Sequence, residues 1–358
     1  MLRHALRESL SADWAKTRTV PSLPCTLAIA LGLGAGLATD NLWPGMLAAT
    51  GAMSVGFGSF QRLGRSRIRP MFWAAVGMAL FTAAGSLFGR HPAGIVLLSS
   101  AVGFFYGLTT AVGGGSAWIS LQWSIFALIA TGFPASLDFV LRRSGWILAG
   151  GALQIGLVLC FRRLSPRFIP RIRRDSFRNF SAASQMMRTH FQTRSAEFFY
   201  SVRLAVALGL AALAGQLLAL SNHYWVPMTA LLVLRSDLHQ TLTRGLARLG
   251  GTLLGAGLAT LLASLWRPGP ITLAVFVVLF AWLCYSVLNV NYGAFSASIT
   301  AYVAFLLALT GLPEREVAIH RVANTFLGGT IALAVAMLGP RKPEAVAETG
   351  ASGDSASH

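Results

Sequence analysis

The feature that most constrains this chain is an internal repeat. Three separated segments of the first half recur in the second half at nearly the same spacing. The matching pairs are 27–33 with 204–210 at an offset of 177 positions, 77–87 with 255–265 at 178, and 132–150 with 311–329 at 179. A near-constant offset over three segments indicates a duplicated unit, which is typical of transporters with a substrate path between two halves.

The composition indicates a polytopic membrane protein. Hydrophobic residues make up 54% of the chain and charged residues only 11%, whereas soluble proteins carry about a quarter charged residues. The net charge of +17 would suit a nucleic-acid-binding protein. That class is excluded because the arginines lie between apolar spans and not on a soluble domain. We expect no nucleic-acid partner.

Twelve apolar spans follow one another, six in each half, and lipid requires them to be helical. Their predicted bounds are 22–39, 42–60, 71–89, 93–111, 115–133 and 144–161, then 202–220, 223–236, 246–266, 269–288, 292–311 and 321–339. The sequence therefore predicts an all-α fold of two six-helix repeats. Since six is an even number, the repeats are expected to be parallel and related by a pseudo-two-fold axis along the membrane normal.

Arginine placement orients the bundle. Most basic residues fall on one side of the twelve spans, which by the positive-inside rule is the cytoplasmic side of a bacterial inner membrane. Both termini are then cytoplasmic. The expected organisation is an amphipathic N-terminal segment (1–20), repeat 1 (21–161), a basic linker (162–200), repeat 2 (201–340) and a disordered tail (341–358). The linker is expected either to bind anionic lipid headgroups or to be a solvated tether.

One motif of the second half resembles a known family. The stretch Tyr224–Asp237, YWVPMTALLVLRSD, followed by Arg244, Arg248 and Gly255, is similar to the signature of fusaric acid resistance proteins and aromatic acid exporters. The resemblance implies transport of aromatic acids. Plant aluminium-activated malate channels look like distant relatives built as dimers of six-span subunits. An anion channel and a homo-oligomer therefore stay as alternatives.

Two arginines at equivalent repeat positions are the leading candidates for substrate binding. Arg142 and Arg321 are repeat equivalents, each expected about one turn inside the start of the sixth helix of its half. A helix N-terminus favours anions, and an arginine adds a planar fork that fits a carboxylate. We predict a pair that faces a shared axis and binds small organic anions. The alternative is that both side chains extend to the outer interface.

Further candidates flank these arginines. Trp43, Tyr224 and Trp225 begin the second spans, where they could stack on an aromatic substrate or form an interface belt. Polar residues around the eighth and ninth spans predict an inner gate or anion vestibule, with topogenic charge as the alternative. These residues are Arg235, Asp237, Arg244 and Arg248.

The sequence favours a transporter without enzymatic activity. It has no phosphate-binding P-loop motif, no catalytic arrangement, and histidines and cysteines too far apart for a metal-ligand pattern, so we expect no cofactor and no metal. The predicted function is a secondary exporter of aromatic or amphipathic acids, coupled to protons. The alternative is a passive anion channel or a non-transporting membrane scaffold.

Overall fold

The computed structural model describes residues 2–63, 66–164, 196–266, 268–312 and 314–338. Regular structure in these ranges is helical, apart from one isolated bridge between Leu63 and Ser66. The α-helices are α1 (Leu2–Leu10), α2 (Thr19–Ala38), α3 (Leu42–Gly56), α4 (Ile68–Phe88), α5 (Pro92–Thr110), α6 (Gly114–Thr131), α7 (Leu137–Leu164), α8 (Ala196–Leu217), α9 (Trp225–Val233), α10 (Leu238–Trp266), α11 (Pro270–Val287), α12 (Tyr292–Ala308) and α13 (Glu314–Met337). Residues 165–195 of the predicted linker and the whole predicted tail lie outside the described ranges.

Each of the twelve predicted spans overlaps one helix from α2 to α13. Eight of these helices are long and apolar enough to cross a membrane: α2, α4, α5, α7, α8, α10, α11 and α13. The other four are α3, α6, α9 and α12. Helix α9 has only 9 residues, about 14 Å of helix against a hydrocarbon core of about 30 Å. The fold is thus an all-helical bundle with eight candidate membrane spans in the described ranges, where the sequence predicted twelve.

The four helices outside this group are the second and fifth of each half, and protein encloses much of their surface. In α9 every residue except Leu232 is buried. Helices α6 and α12 bury polar side chains, among them Gln122 and Ser124 in α6 and Ser296 and Thr300 in α12. A helix surrounded by other helices does not have to match the lipid in length or polarity. Burial therefore explains why the membrane-span pattern is weakest in these four.

Helix packing follows the same scheme in the two halves. In the first half α2 packs on α3, α3 on α7, α4 on α6 and α7, and α5 on α6. The corresponding contacts of the second half are α8 with α9, α9 with α13, α10 with α12 and α13, and α11 with α12. Contacts between the halves are reciprocal as well, since α5 packs on α8 and α11 packs on α2. Across this junction the Tyr285 hydroxyl donates a 2.7 Å hydrogen bond to the Met53 carbonyl.

Candidate anion-binding site

One face of α12 has a polar side chain at every fourth position. These residues are Tyr292, Ser296 and Thr300, within a helix that is otherwise mainly apolar. Side chains four residues apart lie one above the other on a helix, and the rise of 1.5 Å per residue spreads the three over about 12 Å. They form a polar stripe that starts at the N-terminus of α12 and runs into the bundle.

Three arginines from α10 and α13 reach this stripe, one at each level. Their contacts, from the α12 N-terminus inward, are Arg244 Cζ to the Tyr292 ring centroid at 3.9 Å, Arg248 Nη1 to Ser296 Oγ at 3.5 Å, and Arg321 Nε to Thr300 Oγ1 at 3.3 Å. We call Arg244, Arg248 and Arg321 the arginine ladder. It runs beside α12 from the surface cavity described below to the bundle interior.

Two glycines of α10 allow the close approach that the ladder requires. A Cβ atom at Gly251 would overlap the Gly293 carbonyl oxygen, and one at Gly255 would overlap the Ala297 carbonyl oxygen. Small residues at such crossings let helix backbones pack closely. Because α10 lies directly against α12, the side chain of Arg248 can donate to Ser296 on the neighbouring helix.

The ladder has no carboxylate partner among the residues that the structure describes. No Asp or Glu in those ranges lies within 4.0 Å of its three guanidinium groups. Arg248 and Arg321 are each only 3% exposed, and Arg248 Nε and Arg321 Nη1 have no hydrogen-bond partner. An unpaired buried charge costs several kcal/mol of desolvation. The arrangement therefore favours the entry of an anion.

At the end that lies in the bundle interior, the ladder combines cationic, aromatic and amide groups. Arg321 lies over the ring of Trp225, with Cζ 4.8 Å from the ring centroid. One turn further along α13, Asn324 donates from Nδ2 to the Ser221 carbonyl at 2.9 Å, while its Oδ1 has no partner. Tyr224 packs its ring 5.6 Å from that of Phe133. Trp225 and Arg321, both predicted site residues, are thus brought together.

At the N-terminal end of α12, the ladder opens into a cavity of about 360 Å³, which we call the vestibule. Its lining includes Arg235, Arg244, Tyr292 and Glu8. Arg244 Nε and Arg235 Nη2 both donate to the Leu232 carbonyl, at 3.0 and 3.3 Å. The Leu232 carbonyl near the end of α9 therefore holds two guanidinium groups beside one cavity, and the anion vestibule stays a prediction.

Arg142 does not share the surroundings of Arg321. Its side chain is 68% exposed and pairs with Asp138 at 3.0 Å. The first-half arginine that turns inward is Arg143, which donates to Ser86 Oγ at 2.8 Å and to the Phe133 carbonyl at 2.6 Å. Consecutive helix residues point about 100° apart, so Arg142 faces away when Arg143 faces inward. The structure therefore does not place Arg142 and Arg321 as the predicted pair around a shared axis.

Two other predicted residues lie away from the ladder. Trp43 packs its ring 4.7 Å from that of Phe139. Asp237 is exposed and accepts a hydrogen bond from the Gln240 backbone N–H at 3.0 Å, so it caps the N-terminus of α10. A carboxylate in this position stabilises the start of α10, and it is not a partner of the arginine ladder.

Sequence reasoning missed the polar stripe. Tyr292, Ser296 and Thr300 are not among the predicted site residues. The available signal was their four-residue spacing inside an apolar helix. Arg244 and Arg248 have the same four-residue spacing on α10. The matching polar periods could therefore have predicted that α10 packs against α12.

The comparisons with known proteins agree with the resemblance of the second half. Residues 210–335 match the family model described as fusaric acid resistance protein-like. This confirms the resemblance predicted from the motif at 224–237, and the match covers the whole ladder. Together with the eight apolar helices it indicates a multi-pass membrane protein related to a transport family.

One curated relative has no assigned function. An uncharacterized Escherichia coli (strain K12) protein, YhfK, is 28% identical over 146 residues, which are 41% of this chain. The matching region spans only 21% of the length of YhfK. No solved structure matches this chain.

Proposed function

We propose that this protein is a secondary transporter of a bacterial inner membrane that exports organic acids, coupled to protons. The observation that supports this most directly is the arginine ladder, in which two buried guanidinium groups have no carboxylate partner among the described residues. The match to the fusaric acid resistance protein-like family model supports aromatic or amphipathic acids as the proposed substrate class.

The geometry supports a path with successive binding steps. A carboxylate enters the vestibule beside Arg235 and Arg244, moves past Arg248, and reaches Arg321. At each level the carboxylate loses hydration water and accepts a charge-assisted hydrogen bond from an arginine, which contributes about 1.5–3 kcal/mol. The rings of Tyr292 and Trp225 lie at the two ends of this path and offer stacking surfaces to an aromatic substrate.

We propose further that 21–161 and 201–340 are two parallel six-helix repeats, with both termini cytoplasmic. The near-constant sequence offset supports this arrangement, as do the corresponding helix packings and the matching positions of the two enclosed helices in each half. An even number of crossings in each half gives the repeats the same orientation.

A passive anion channel is the second candidate, because a continuous line of arginines also suits conduction. Flux measurements separate the two functions. A carrier shows saturable uptake of a labelled aromatic acid into inside-out vesicles, stimulated by a proton gradient. A channel gives flux that stays close to proportional to concentration and does not depend on the gradient.

The test of the site is uptake by Arg248→Gln and Arg321→Gln proteins at equal expression. We expect each to weaken substrate affinity about tenfold or more, since one charged hydrogen bond is lost. Arg90→Gln, in an exposed position between α4 and α5, is the matched control and should transport normally.

Arg142→Gln decides between the ladder and the symmetric pair predicted from the repeat. If the ladder alone binds the substrate, this variant transports like the wild type. Equal losses in Arg142→Gln and Arg321→Gln would support the symmetric pair. Normal transport by the Arg248→Gln, Arg321→Gln double variant would contradict the ladder.

A further inference from the structure

Three metal-ligating side chains, two from α1 and one from α10, meet beside the vestibule. Glu8 Oε2 lies 2.8 Å from His239 Nε2, and Glu8 Oε1 lies 3.6 Å from His4 Nδ1. One donor atom from each residue falls within 4.8 Å of the other two. The sequence predicted no metal site because the histidines are scattered, and the docking of α1 on α10 brings two of them together.

We propose that His4, Glu8 and His239 bind a divalent transition-metal ion, with Zn²⁺ the best match, and that this ion fastens α1 to α10. Two imidazoles and one carboxylate are a donor set that Zn²⁺ accepts, with water completing the tetrahedron. His4 and Glu8 are spaced i, i+4 and so share one helix face.

Only small side-chain rotations are needed to form the site. Donor atoms around a tetrahedral zinc ion at 2.0–2.2 Å are about 3.3 Å apart. The side chains of His4 and Glu8 are 72% and 47% exposed, so both can rotate, and water can reach the ion. His239, 30% exposed, is the more enclosed ligand on the body of the protein.

The metal would act on a helix that borders the anion path. Glu8 lines the vestibule together with Arg235 and Arg244. The last turn of α1 and the residue after the helix are anchored by Asn291, whose Nδ2 donates to the Ser9 and Ser11 carbonyls at 2.9 and 2.6 Å. Nearer its start, α1 buries Ala5, and a zinc ion would add metal–ligand bonds there through His4 and Glu8. It would thus hold the whole helix beside the vestibule.

The experiment uses the full-length protein in detergent, purified without a histidine tag and freed of metal by a chelator. Zinc chloride is titrated in competition with a chromogenic chelator, and amide hydrogen exchange of residues 2–10 is followed with and without zinc. We expect one zinc ion per chain and slower exchange in α1. His4→Ala and His239→Ala should each weaken zinc binding more than about tenfold.

Matched controls exclude general effects of removing a histidine. His91→Ala, at an exposed histidine before α5, should bind zinc like the wild type. His239→Asn keeps a hydrogen-bond donor toward Glu8 but removes the imidazole. It should bind zinc little better than His239→Ala. Equal zinc binding by the wild type and the His4→Ala, His239→Ala double variant would overturn the proposal, as would unchanged exchange in α1 on zinc addition.

Discussion

Replacing Arg321 by methionine separates a binding role from a structural one. Methionine keeps much of the side-chain volume and removes the charge. The variant loses the 3.3 Å bond to Thr300 and the stacking on Trp225, about 1–2 kcal/mol each. It also removes the cost of holding a buried, partly unpartnered cation, which is several kcal/mol. The thermal midpoint of the substrate-free protein should therefore equal or exceed that of the wild type.

Substrate binding by the same variant should change in the opposite direction. The charged hydrogen bond that Arg321 Nη1 offers to a carboxylate is worth about 1.5–3 kcal/mol, or about tenfold to a hundredfold in affinity. Thermal unfolding in detergent and uptake of a labelled aromatic acid into vesicles measure the two effects. Arg321→Lys is the control: it keeps the charge, so it should gain no stability, and it should retain only part of the affinity because it lacks the planar fork.

A structural arginine would give the reverse pattern. If Arg321 served mainly to tie α13 to α12, its replacement by methionine would lower the free energy of unfolding by about 3–5 kcal/mol, as for a broken buried pair. Lower stability together with unchanged substrate affinity would refute the inference that Arg321 Nη1 is kept for substrate binding.

Three further outcomes follow from other parts of the fold. Tyr292→Phe should keep substrate affinity because the ring over Arg244 remains, whereas Tyr292→Leu should weaken it severalfold in uptake assays; equal effects would count against the ring contact. In a background without reactive native cysteines, Ser136→Cys should react with an impermeant thiol reagent applied outside and Ser11→Cys only inside; external labelling of Ser11→Cys would reverse the proposed topology. Burial lowers the pKa of His223 from its ordinary 6.5. The stabilisation from the neutral ring should therefore be present above about pH 6.5 and fall as the pH drops below that value, whereas His223→Gln should lose this dependence in thermal unfolding.

The helical spans could be predicted because lipid allows few alternatives for an apolar segment. The enclosed helices show where that argument ends. Helix α9 was expected over 223–236 and covers Trp225–Val233. Its last i→i−4 bond is from the Leu234 N–H to the Ala230 carbonyl, and the backbone of Leu234 is extended, which ends the helix. Neighbouring helices, and not bilayer thickness, set the length of such a helix.

The site was predictable only in part. Arg244, Arg248 and Arg321 were candidates because charges near apolar spans are costly. Their convergence on α12 depends on how three helices pack, and glycines such as Gly255 decide that packing in three dimensions. The different surroundings of Arg142 and Arg321 have a similar origin. A repeat fixes the sequence position of an arginine, but a small rotation of α7 decides whether that residue or Arg143 turns inward.

The ladder lies in the second half of the chain. At the offset of 178 positions, the places of Arg244 and Arg248 are taken by Ser66 and Pro70 in the first half. The sequence counterpart of Arg321 is the exposed Arg142, so the first half has no matching line of cations. The family match over 210–335 covers the half that holds the ladder. We infer that the anion path runs within the second half, beside α12, and that the first half supports it by packing α2 and α5 against α11 and α8.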